Sequence, residues 1–177
     1  MDNKMGMENR SVMILIILFI AFLWSCASHK KEENKLFKLL EPNQTNIDFV
    51  NQLDFKGKFN IYTYRNFYNG GGVGLGDINN DGLLDIYFIS NMESNRLYLN
   101  KDNFEFEDIT EHSNAGGRRG WSTGVSMADV DGDGRIDIYV CNSGEIEDDD
   151  KRNELFINNG DLTFTERAAE FGLDDPG

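Results

Sequence analysis

Two stretches of this chain are copies of each other. GVGLGDINNDGLLDIYFISN (72–91), followed by NRLYLNKDNFEFEDIT (95–110), aligns with GVSMADVDGDGRIDIYVCNS (124–143), followed by NELFINNGDLTFTERA (153–168). Asp77 matches Asp129, 52 residues on, and Asn95 matches Asn153, 58 residues on. The second copy therefore carries six extra residues between its halves, which the acidic run Glu145-Ile146-Glu147-Asp148-Asp149-Asp150 supplies as an exposed loop.

Each copy reads as strands. Ile86-Tyr87-Phe88-Ile89 and Ile138-Tyr139-Val140 are β-branched and aromatic runs, as in strands buried on both faces. Leu97-Tyr98-Leu99 and Leu155-Phe156-Ile157 follow, each ending in a turn rich in Asn and Asp. Phe104 and Phe106, like Leu162 and Phe164, alternate with polar residues and predict a half-exposed strand. With the short Gly-rich strand before each aspartate cluster, every copy has four strands. The expected fold class is all-β: a partial β-propeller of two four-stranded antiparallel blades. A stack of β-solenoid coils is the runner-up, although its repeats are usually shorter. Two blades cannot close a ring, so the expectation is an N-terminal piece of a longer closed propeller. Residues 35–71 read as irregular strands leading into the first repeat (72–116), and 117–177 hold the second and the start of a further connection.

The chemistry lies between the first two strands of each copy. Asp77, Asn79, Asp81 and Asp85 occupy positions 1, 3, 5 and 9 of one loop, with Gly82 at 6. Asp129, Asp131, Asp133 and Asp137 repeat the pattern, with Gly134 at 6. Ca²⁺ takes six to eight hard oxygen ligands, and alternating acids in a curled loop aim oxygens at one centre. The backbone carbonyls of Leu83 and Arg135, at position 7, add a ligand each. An EF-hand would need a bidentate Glu at position 12, where Phe88 and Val140 stand instead. Asp-Gly and Asn-Asp pairs also form plain turns. Two equivalent loops with seven carboxylates between them would repel themselves without a cation, which favours two Ca²⁺ sites. Mg²⁺ is disfavoured because it keeps its waters and an octahedral shell.

On these loops the chain resembles the FG-GAP and VCBS repeats of integrin-type propellers. The Asn-x-Leu-Tyr/Phe-x-Asn stretches followed by Phe resemble more closely the exported proteins related to cartilage acidic protein, which carry ASPIC and UnbV-type domains. The resemblance covers roughly residues 36–177 and implies a multi-bladed propeller with calcium held in loops between strands. It brings no defined enzymatic activity, and some relatives are thought to bind other proteins or the extracellular matrix.

The N-terminus reads as an address. VMILIILFIAFLW (12–24) is an apolar run of signal-peptide length, preceded by Lys4 and Arg10. It ends in Leu23-Trp24-Ser25-Cys26, which resembles the lipobox of bacterial lipoproteins, with Trp24 where that family has a small or aliphatic residue. The resemblance implies cleavage of residues 1–25, acylation of Cys26, and a polar tether over 26–34. Thirteen apolar residues are too few to span a bilayer comfortably. Lys31-Glu32-Glu33 resembles the short acidic signals that send some outer-membrane lipoproteins to the cell surface.

The net charge of −14, from 31 acidic and 17 basic residues, argues against a nucleic-acid partner. An aromatic content of 12% and an apolar content of 40% are those of a folded chain. Cys141, left without a partner once Cys26 is lipidated, is expected to be a buried thiol. His29 and His112 stand near no nucleophile in sequence, and Gly70-Gly71-Gly72-Val73-Gly74 lacks the Lys-Ser/Thr of a phosphate loop. No catalytic residue is expected. The chain reads as a lipid-anchored envelope module that binds an extracellular or envelope protein or a glycan. The alternative is the N-terminal propeller of a larger secreted enzyme, such as a polysaccharide-processing hydrolase.

Overall fold

A computed structural model describes residues 36–57, 59–118, 120–143 and 151–176. The apolar run, Cys26, the tether and the acidic insertion at 144–150 lie outside the described residues. The chain divides into Met1–Leu39 and Leu40–Gly177, and both repeats fall in the second unit.

That unit contains two four-stranded antiparallel meanders. The first has β1 (Val73–Gly76), β2 (Asp85–Phe88), β3 (Arg96–Asn100) and β4 (Phe106–Asp108). The second has β5 (Trp121–Ala128), β6 (Asp137–Ser143), β7 (Glu154–Asn158) and β8 (Phe164–Glu166). One-turn helices, α1 (Thr110–Ser113) and α2 (Ala168–Phe171), follow β4 and β8. The register repeats as well: Tyr87 faces Leu97 as Tyr139 faces Leu155. The expected all-β class and four-stranded units are what the structure shows, as a partial propeller without a closed barrel.

The meanders stack face to face. Gly74 and Tyr87 are cross-strand neighbours on the inner face of the first, with Leu97 beyond them. Val125 and Val140, then Met127 and Ile138, are paired on the facing side of the second. Tyr87, Ile89, Leu97, Leu99, Ile109, Ile138, Val140, Phe156 and Phe164 form one buried core, with Val125, Met127 and Leu162 packed against it. The close approach of β1 to β5 explains why β1 alternates with glycine. A Cβ on Gly74 would lie 2.9 Å from Met127 Sδ, and one on Gly76 would lie 2.9 Å from Met127 Cε and 3.1 Å from Ile136 Cγ2.

A tyrosine, fully buried in the first sheet and half-buried in the second, ties each sheet to the connection that follows it. Tyr87 Oη donates to the Ala115 carbonyl (2.5 Å), and Tyr139 Oη donates to the Leu173 carbonyl (3.1 Å). An asparagine just before β3 and another just before β7 fix the preceding loop. Asn95 Oδ1 accepts from Ser90 N and Asn153 Oδ1 accepts from Asn142 N, each at 2.9 Å.

Three expectations need correction. First, no strand forms among the described residues of 36–71. After a one-turn helix at Pro42–Thr45, the chain runs in turns whose aromatic rings do the packing. Phe59, Tyr64 and Phe67 surround Trp121, with ring centroids 4.7–5.5 Å away, and Phe49 stacks on Phe88 at 4.8 Å. Second, Phe104 and Leu162 sit in turns with φ of 63° and 68°, so the fourth strands begin at Phe106 and Phe164. Third, Ile86 and Phe88 are only half-buried, as is Cys141, so β2 is covered fully on one face alone.

Gly71 sits at the entrance to β1 under strict limits. A Cβ there would lie 2.5 Å from the Ile89 carbonyl oxygen, which is backbone and cannot rotate away. Gly71→Ala is expected to cost about 1–3 kcal/mol, the range for overpacking, read as a fall in the urea midpoint at unchanged slope.

Candidate metal centre

The two aspartate loops leave β1 and β5 and return as β2 and β6. In each, the side chain at position 1 accepts the backbone N–H groups that the curl turns inward. Asp77 accepts from Asp81 N (3.1 Å) and Gly82 N (2.8 Å). Asp129 accepts from Gly132 N (2.7 Å), Asp133 N (3.1 Å) and Gly134 N (2.9 Å). Gly82 and Gly134 take φ of +86° and +87°, a conformation that L side chains rarely adopt. That requirement explains the glycine at position 6.

The position-9 aspartates behave differently. Asp85 and Asp137 are buried, at 0% and 1% exposure. Asp85 Oδ2 accepts from Ile78 N (2.9 Å) and its Oδ1 from Asn100 N (2.8 Å). Asp137 repeats this with Val130 N and Asn158 N, both at 2.9 Å. Each of these carboxylates therefore pins the start of its loop to the end of the third strand. Burial pushes the Asp85 carboxyl above its ordinary range, against the two backbone donors that favour its charged form.

In the second loop three carboxylates converge. One oxygen each from Asp129, Asp131 and Asp137 lie within 4.8 Å of one another, two from exposed side chains and one from a buried one. This is the one such set of three among the described residues. In the first loop Asn79 stands where the second has Asp131. Asn79 Nδ2 donates to Asp81 Oδ2 (2.9 Å), and its Oδ1 accepts from Asp81 N (3.1 Å). Asp133 is turned elsewhere: its Oδ1 accepts from Arg135 N (2.9 Å) and its Oδ2 pairs with the Arg135 guanidinium. Asp81 caps Leu83 N in the same manner (2.8 Å) without a cation beside it. Residues 83 and 135, whose carbonyls complete the expected ligand sets, thus follow directly on a capped turn.

The sequence reading missed what holds the loops to each other. Asn158 ends β7 and looks like a turn residue. Its Nδ2 donates to the carbonyls of Ile78 (2.8 Å) and Ile136 (3.1 Å), one in each loop region. Asn80 Nδ2 reaches the Gly134 carbonyl at 3.4 Å. The signal was the recurrence of Asn100 as Asn158 at one place in the repeat.

Glu154 was also missed, because its counterpart in the first copy is an exposed arginine, Arg96. Its side chain is buried, accepting from Asn142 Nδ2 (3.2 Å) and Arg118 N (3.4 Å), with Arg118 Nε 3.7 Å away. Burial raises its pKa above the ordinary glutamate value, and these donors only partly offset that. A carboxyl raised in the folded state stabilises the fold fully below its unfolded pKa and loses that contribution as pH climbs through the folded one. The advantage of wild type over Glu154→Gln in EDTA is therefore expected to grow as pH falls from 7 towards 5. Paired urea titrations check it, and parallel curves would refute it.

A search of curated proteins finds no match to this chain. The profile of the FG-GAP-like repeat matches residues 77–140, from the first aspartate of the first loop to the middle of β6, and so takes in both aspartate loops.

Proposed function

We propose that this chain is a calcium-stabilised binding or scaffolding module of an exported, lipid-anchored envelope protein. The observation that carries the reading is the convergence of the Asp129, Asp131 and Asp137 carboxylates in a segment that matches the FG-GAP-like repeat. The donor set suits the ion. It is all oxygen, partly buried, and built on a loop whose inward N–H groups are already satisfied, which leaves the remaining lone pairs for a hard cation. Asp129, Asp131 and Asp137, with Asp133 once released from Arg135 and the Arg135 carbonyl, would hold the ion in the second loop. Asp77, Asn79, Asp81, Asp85 and the Leu83 carbonyl would do so in the first. The ion's role is electrostatic: it neutralises the clustered charge and makes the turn rigid. Calorimetric titration of the metal-free protein with Ca²⁺, with Mg²⁺ as the comparison, tests this. Absence of heat and of retained calcium would sink it.

The partner is an envelope or extracellular protein or a glycan, and the reading is of recognition, not catalysis. Support for the anchor is the Leu-Trp-Ser-Cys ending of the apolar run. Wild-type protein is expected to incorporate labelled fatty acid in a bacterial host and Cys26→Ala to lose the label. Equal labelling would remove the anchor from the reading.

A further inference from the structure

Buried hydrogen bonds run without a break from one aspartate loop to the other. Asp137 Oδ2 accepts from Val130 N at the start of the second loop, and its Oδ1 accepts from Asn158 N, both at 2.9 Å. The Asn158 side chain, 1% exposed, crosses to the first loop, where its Nδ2 donates to the Ile78 carbonyl (2.8 Å). Ile78 N in turn donates to Asp85 Oδ2 (2.9 Å), and Asp85 Oδ1 accepts from Asn100 N (2.8 Å). The position-9 carboxylates of the two loops are therefore joined through one asparagine and the backbone of Ile78.

Two further contacts brace the same junction. Asn80 Nδ2, in the first loop, donates to the Gly134 carbonyl in the second (3.4 Å). Arg135 Nε, at position 7 of the second loop, donates to the Asn158 carbonyl (3.1 Å). Packing follows the bonds. Ile136 Cγ2 stands 3.1 Å from where a Cβ on Gly76 would lie, and Gly76 directly precedes Asp77. All of these groups lie inside the two repeats.

We infer that Asn158 couples the two loops, so that what orders one orders the other, and a cation held in the second loop raises the affinity of the first. The physical cause is a shared entropic cost. Fixing Asp137 and Arg135 around an ion also fixes Asn158, and through it the contact of Ile78 with Asp85. An ion entering the first loop then meets a loop already ordered. The effect is reciprocal, as any coupling between two binding equilibria must be. Coupling between cations rests on the calcium reading above, whereas the mechanical link between the loops does not.

Hydrogen exchange of the full chain in detergent, resolved over residues 77–85 and 129–137, tests both. In EDTA, Asn158→Ala is expected to speed exchange over 77–85 at least about fivefold, although residue 158 belongs to the second repeat. In Ca²⁺ titrations, the concentration that half-protects 77–85 is expected to be at least about fivefold higher in Asp131→Ala, which disables the second loop, than in wild type. In an Asn158→Ala background, adding Asp131→Ala should no longer move that midpoint. Asn80→Gly keeps the left-handed backbone at φ of 58°, removes only the longer contact, and should reduce the effect in part. Equal midpoints in wild type and Asp131→Ala, a comparison that needs no change at Asn158, would overturn the coupling. So would a ratio that Asn158→Ala leaves intact. Unchanged exchange over 77–85 in EDTA would overturn the mechanical link. An absence of protection by Ca²⁺ in every form would instead sink the calcium reading, and the EDTA comparison then decides the link alone.

Discussion

Metal-free protein is expected to melt about 5–10 °C higher on addition of millimolar Ca²⁺, if that concentration is roughly a hundred times Kd. A ligand that binds only the folded state at that excess adds about 2.7 kcal/mol, and a domain of this size moves by about 2–4 °C per kcal/mol. The choice of variant matters, because the three converging aspartates carry unequal structural duties. Asp129 accepts three backbone N–H groups and Asp137 two, the latter while buried. Asp131 is exposed and accepts one, from Asp133 N at 3.2 Å. Asp131→Ala should therefore remove the second loop's share of the Ca²⁺-dependent shift while leaving the melting temperature in EDTA nearly unchanged. Since the ligands bind as carboxylates, protons compete with Ca²⁺ for the same oxygens, and acid should diminish the shift. Melting indifferent to both Ca²⁺ and EDTA would reduce these loops to turns.

Asp85→Ala is expected to have the opposite profile: a large loss that EDTA does not abolish. It strips the partner from Ile78 N, which is buried, and from Asn100 N. An orphaned buried donor costs about 1–3 kcal/mol, so the pair should cost roughly 2–5 kcal/mol, or on the order of 10 °C. Asp85→Asn keeps one acceptor oxygen but turns an amide N–H₂ toward the other donor, so it should recover part of the loss and not all. Thermal melts of both variants in EDTA, beside Asp131→Ala, separate the carboxylate that builds the loop from the one that serves an ion. Equal melting temperatures for Asp85→Ala and Asp131→Ala would contradict that division.

The repeat was legible because it rests on patterns a sequence displays directly: paired apolar runs, Asp-x-Asp/Asn-x-Asp spacing, and glycine where the loop must turn. The strands of both sheets and the ends of the aspartate loops follow from these. What was hidden depends on side-chain rotamers or on tertiary partners. Even at two residues' distance, spacing does not tell that Arg135 turns back on Asp133, or that Asn79 donates to Asp81, in a loop without a third converging carboxylate. Glu154 looks like a surface residue until β7 is packed between Asn142 and Arg118. Residues 40–71 carry enough aromatics to suggest strands, yet their rings are used against Trp121 and Phe88 and their backbone runs in turns. Phe104 and Leu162 alternate correctly for a strand, but the tight turn before β4 and β8 takes them into positive φ.

The asparagines that hold the loop before the third strand have one more consequence. Asn95 and Asn153 make the same backbone bond at the same length, although six more residues separate the halves of the second copy. The clamp sits inside the point of insertion, so the sheets do not register how long the intervening segment is. Lineages can therefore lengthen, shorten or recharge that segment by small steps without renegotiating the fold. A scaffold with that property can take up new segments at this point one insertion at a time, and the second copy is six residues longer than the first there.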